Sequence, residues 1–151
     1  NDRFKKRKEL KGYSGTAIKP FRNYYADGDD NMISDCMFFY FNSVRKHFPD
    51  LWEYDTTSKP TNVLQSTVGF DALMNLLKDI LTKENITSFD NITFDKYIQT
   101  FSMLQIGDVN VLPITTNRKK ILYNSMFVKV LPNDPSVEEK ANELNELRLT
   151  I

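Results

Sequence analysis

The chain has 151 residues and 17.6 kDa, the size of one domain, with 40% hydrophobic and 26% charged residues. That composition excludes collagen-like, wholly disordered and membrane-spanning chains, and the 11 Phe and 7 Tyr are enough bulky apolar surface for a core. Net charge is zero, from 20 basic and 20 acidic residues. One Cys excludes an internal disulfide and points to a reducing, cytoplasmic setting.

The first residue is Asn1 rather than Met, and no apolar signal segment follows, so the chain reads as a piece of something longer. Residues 1–12 are polar and basic, an arm or truncated segment. Residues 13–132 are expected to form a helical domain and 133–151 a C-terminal helix. After a turn at Gly12–Gly15, Pro20 sits in the first turn of a short helix running to Tyr25.

Asp27-Gly28-Asp29-Asp30-Asn31 breaks the chain and starts a helix over about 30–48, since Asp and Asn cap N-termini and complement the macrodipole. Ile33, Cys36, Met37, Tyr40, Phe41, Val44 and Phe48 share its apolar stripe. Phe38 and Phe39 widen that stripe, so this helix reads as central, its middle apolar nearly all round. Pro49 stops it, and Trp52 is expected to plug the core beside it. Phe41 and Trp52 should both be largely buried near the next helix.

A loop over 55–62 precedes a helix capped by Ser66 or Thr67 and running to about Leu81, with Val68, Leu73, Leu76, Leu77, Ile80 and Leu81 inward. The Asn-Ile-Thr copies at Asn85 and Asn91 read as two capping turns, their sequons arising by chance in an Asn-rich chain. A helix over about 94–104 follows, with Tyr97, Ile98, Phe101 and Leu104 inward. Val109–Ile114 reads as extended. Thr116 or Asn117 caps a helix from Arg118 that buries Ile121, Leu122, Ser125, Met126 and Val130, although Met126–Leu131 also fits a strand. Ser136 with Glu139 matches a capping box for the last helix, with Ala141, Leu144 and Leu147 inward. The expected fold is mainly α: an irregular helical bundle around the aromatic-rich helix, with at most a small strand element near 109–131.

Motifs of chemistry are few. Asp27-x-Asp29-x-Asn31 resembles half a calcium loop, but Met32 and Phe38 stand where the loop needs Gly and a bidentate Glu. Cys36 and His47, the only residues of their kinds, lie eleven positions apart on one helix, about 16 Å along its axis, too far for a thiolate–imidazole pair. Glycine-rich phosphate loops and nucleophile elbows are absent, so no catalytic residue, metal or cofactor is assigned. Phe38-Phe39-Tyr40-Phe41 reads as core packing rather than a base-stacking platform.

Charge layout is more informative than its total. Residues 1–22 hold eight basic residues against two acidic, and residues 117–132 hold four basic and no acid. Arg3, Lys5, Lys6, Arg7, Lys8 and Lys11, with Arg118, Lys119 and Lys120, are the candidate nucleic-acid-binding residues, through sequence-independent phosphate contacts. Alternatively, these runs are solvated charge, or face acidic surfaces of a protein partner.

Two stretches carry a family resemblance. Residues 40–53, Tyr-Phe-Asn-Ser-Val-Arg-Lys-His-Phe-Pro-Asp-Leu-Trp-Glu, and residues 64–77, Leu-Gln-Ser-Thr-Val-Gly-Phe-Asp-Ala-Leu-Met-Asn-Leu-Leu, resemble consecutive segments of DGQHR-domain proteins. The similarity covers roughly 12–82. It implies a bacterial or phage protein associated with DNA modification, including sulfur modification of the backbone, or with defence against foreign DNA. The Asp-Gly-Gln-His-Arg motif itself is absent, so the resemblance implies the helical C-terminal portion, with no catalytic residue to carry over. Expected partners are DNA through phosphate contacts or other subunits of such a system, without a membrane. A protein-interaction module with no nucleic-acid contact is the rival reading.

Overall fold

In the computed structural model, residues 6–10, 19–49, 63–102 and 116–149 are described. Six α-helices appear among them, with no strand: α1 Arg22–Asp27, α2 Asp30–His47, α3 Thr67–Lys83, α4 Asn91–Ile98, α5 Thr116–Val130 and α6 Val137–Leu149. Short 3-10 turns occupy Arg7–Leu10, Val63–Gln65 and Gln99–Phe101.

Local chemistry sets the boundaries. Gly28 takes φ 80°, and the Asp29 N–H reaches back to the Tyr24 carbonyl at 2.8 Å, closing α1 in a Schellman turn. Asp29 then caps α2 by accepting from the Met32 N–H. The half calcium loop is thus a helix stop followed by a helix start. Phe48 leaves helical geometry, with φ −131°, because the residue before a proline disfavours it, so α2 ends at His47.

Ser66 caps α3: its hydroxyl accepts from the Gly69 N–H and donates to the Val63 carbonyl at 2.6 Å. The two Asn-Ile-Thr copies take opposite ends of helices. Asn85, with φ 51°, leaves α3, whereas Asn91 begins α4 behind the Asp90 cap, whose carboxylate accepts from the Thr93 N–H at 2.6 Å. The α4 helix therefore starts three residues before the expected Phe94. It tightens into a 3-10 turn at Gln99, where the Thr100 and Ser102 hydroxyls donate to the Tyr97 and Gln99 carbonyls.

The strand alternative for 126–131 is overturned: α5 is helical to Val130. Met126, Phe127 and Val130 are buried while Lys129 is exposed, a three/four pattern that a strand, alternating sides, does not produce. The expected extended piece at 109–114, Leu104 and Trp52 lie outside the described residues. In the turn before α6, the Ser136 hydroxyl and N–H both donate to Asp134, so that carboxylate organises the turn.

The core is one cluster. Tyr40, Phe94, Phe101 and Phe127 are fully buried, joined by Leu73, Leu76, Leu77 and Ile80 of α3 and Ile98, Leu122 and Met126. The α4 helix packs on α2, α5 on α3, and α6 on α5, and α3 contributes the whole of its expected stripe. Tyr40 meets Phe94 edge-on at 5.5 Å, and Phe48 stacks on Phe101 at 5.2 Å, arrangements that add to area burial. Phe41 is only partly buried, stacked on Phe70 near the start of α3. The middle of α2 is apolar nearly all round but not buried all round, because Phe38 is 64% exposed.

Candidate functional site

The candidate basic residues fall into three situations. Arg3, Lys5 and Lys11 lie outside the described residues. Lys6 is exposed, and Lys8 stands in the first 3-10 turn. Arg7 is held: its guanidinium donates to the Asp30 carboxylate and the Tyr25 carbonyl, and lies 4.4 Å from the centre of the Tyr25 ring. The acidic helix start thus neutralises Arg7.

The second block diverges. Arg118 is buried, and desolvation lowers its pKa. Lys119 reaches Asp71 on α3 at 3.4 Å, and Lys120 reaches Glu143 on α6 at 3.0 Å. Consecutive helix positions are turned by about 100°, so the three side chains point to the core and to two flanking helices. In sequence this block has no acidic neighbour; in space, acids from α3 and α6 close on it. Glu143 also accepts from the Asn124 amide at 2.8 Å, and Asn124 and Lys120, in that order, lower its pKa against desolvation.

A polar cluster joins α2 to α4. Asp95 accepts from the Ser43 hydroxyl at 2.6 Å and from the Lys46 ammonium at 2.5 Å. Desolvation opposes its charge, yet these donors, with the Lys46 and His47 charges, lower the Asp95 pKa overall. His47 Nε2 lies 3.4 Å from the same carboxylate without forming a hydrogen bond. A nucleophilic triad needs the imidazole between hydroxyl and acid. Here the acid lies between them and Ser43 is 1% exposed, so the cluster ties two helices and presents no nucleophile. Among the described residues, no group of three or more His, Cys, Asp or Glu side chains is placed to hold a metal ion. None of their helices is long and apolar enough to cross a membrane.

The surface feature that the sequence reading assigned to core packing is aromatic. Phe38 is 64% exposed and meets Phe39 edge-on, while Phe70 is 49% exposed and stacks on Phe41 at 5.8 Å, nearly parallel. Phe38 shares its side of α2 with Asn31, Ser34 and Arg45 at three/four spacing. That polar company was the available signal that Phe38 faces outward; counting apolar residues alone hid it. Neither a family model, nor a curated protein, nor a solved structure matches this chain.

Proposed function

We propose that this chain is a non-catalytic helical binding segment, the C-terminal portion of a DGQHR-type protein of bacterial or phage origin associated with DNA modification or defence. Its contact surface is the aromatic side of α2, and what it contacts is protein. The carrying observation is the exposure of Phe38 beside the half-exposed Phe41–Phe70 stack. Exposed apolar surface of this kind favours association and is costly to leave in water. The basic block at 118–120, spent on Asp71, Glu143 and the core, offers less to a polyanion. In a cytoplasmic setting the buried Cys36 needs no disulfide partner.

A second reading, DNA contact through phosphates, is favoured by one observation. The Lys120 side chain is 50% exposed and that of Lys119 37%. Exposed ion pairs contribute only about 0–1 kcal/mol, so a phosphate can displace their carboxylates.

One titration decides between them: duplex DNA of mixed sequence at low salt against the chain and its Lys119→Glu/Lys120→Glu variant. The protein-contact reading expects no binding that depends on these lysines. Binding that the double variant abolishes for all sequences alike, with a flattened salt dependence, overturns it in favour of DNA.

A further inference from the structure

We infer that the aromatic side of α2 pairs with the same side of a second copy of this chain, in an antiparallel two-fold arrangement. This rests on the protein-contact reading above and names its partner. Asp35 and Arg45 are both exposed, and the side chain of neither has a hydrogen-bond or ion-pair partner among the described residues. Exposed Lys78, Lys129 and Glu146 likewise lack such partners among the described residues; what sets Asp35 and Arg45 apart is that their charges are opposite and flank Phe38 on one helix.

Their placement is symmetric. Asp35 and Arg45 stand five positions before and after Tyr40, about 15 Å apart along the axis. At about 100° per residue, Phe38 lies between them around the helix, within about 60° of either. A two-fold axis level with Tyr40 therefore sets Asp35 of each copy opposite the other copy's Arg45, making the ion pair twice. The two Phe38 rings meet close to that axis, and the Phe41–Phe70 stacks flank them. A self-complementary patch is what a two-fold interface requires. Antiparallel alignment also opposes the two helix dipoles favourably. A parallel pair would set acid against acid and base against base.

A patch built on three rings per copy, Phe38 and Phe41 of α2 and Phe70 of α3, is smaller than the roughly 800 Å² per partner of a stable complex, so the dimer is weak.

Sedimentation of the full 151-residue chain across concentration tests this. The expected result is a monomer–dimer equilibrium, weakened about tenfold or more by Asp35→Arg or by Arg45→Asp, since each sets like charges opposite at both ends. Mixing the two single variants should restore dimers, because the mixed pair regains both oppositely charged contacts. Phe38→Glu should leave a monomer. All these positions are exposed, and circular dichroism checks that each variant keeps its helices. A wild-type monomer at every concentration overturns the inference, as does a mixture that gains nothing over its components, or a Phe38→Glu variant that self-associates unchanged. The DNA titration is independent of these outcomes, so a failure of self-pairing is separable from a failure of the protein-contact reading.

Discussion

The Tyr40 hydroxyl donates to the Leu73 carbonyl at 2.8 Å, tying the middle of α2 to the middle of α3 inside the core. Tyr40 is fully buried, and desolvation, with a smaller contribution from Cys36, raises its pKa, so it stays a neutral donor. Tyr40→Phe keeps the ring contacts with Phe41 and Phe94 and loses this bond. Urea unfolding should show a loss of about 0.5–1.5 kcal/mol. Tyr40→Ala, which also empties the ring volume, should cost about 3–5 kcal/mol. If the two variants are equally stable, the ring is not what joins the helices.

Gly69 is required by proximity. A Cβ there would stand 2.0 Å from the Val63 carbonyl oxygen and 2.6 Å from Leu64 Cα, both backbone atoms. Gly69→Ala should therefore destabilise by about 1–3 kcal/mol, overriding the roughly 1 kcal/mol that Ala gains in a helix interior. At Gly28 the demand is conformational: nothing lies within 4 Å of an added Cβ, but φ is +80°. Gly28→Ala should cost about 1–2 kcal/mol. Thermal unfolding of both variants checks the pair, and a stabilised Gly69→Ala would contradict the close approach.

Cys36 has no exposed surface, and burial pushes its thiol up to about 12. Thiolate is the reactive form, so labelling near pH 8 should be slow and should accelerate with denaturant as the helix opens. Fast labelling of the folded chain would show that α2 does not bury this face.

Asp134 ties the turn before α6 to α3. Lys83 at 2.8 Å, then the Ser136 hydroxyl and N–H, hold its carboxyl down to about 2. A depressed folded-state value means stability fully present above the unfolded pKa, near 4, and lost as pH falls through the folded value. Its contribution should therefore drain away between about pH 4 and pH 2. Asp134→Asn should remove that part of the acid dependence and cost about 1–2 kcal/mol at neutral pH. An unchanged acid profile in the variant would refute the assignment.

Much of this architecture was legible locally. Asp29 and Ser66 cap helices through bonds to residues three positions on, so short-range spacing found those starts, whereas the equally local Asp90 cap was missed and its helix placed three residues late. The α3 stripe follows from helical periodicity, because that helix is enclosed along its length. The glycine at 69 and the leucine at 73 are visible locally, but their reasons are distant. Gly69 answers to the turn at 63–65, and Leu73 to Tyr40.

What the sequence by itself determined was the helical class, the break at 27–31, the inward residues of α3 and most of those of α2, where Ile33 stays half-exposed and Ser43 is buried instead. Only the tertiary structure decided that 126–130 is helix, because packing on α3 selects among periods that a short apolar run leaves open. It also decided the charges. Lys119 and Lys120 look unneutralised along the chain, and are paired through space by Asp71 and Glu143, 48 and 23 residues away. Phe38 stays outside for the same kind of reason: the enclosing helices contact the other sides of α2. Caps and stripes depend on neighbours within about one or two helical turns, whereas exposure and ion pairing depend on which distant surfaces arrive.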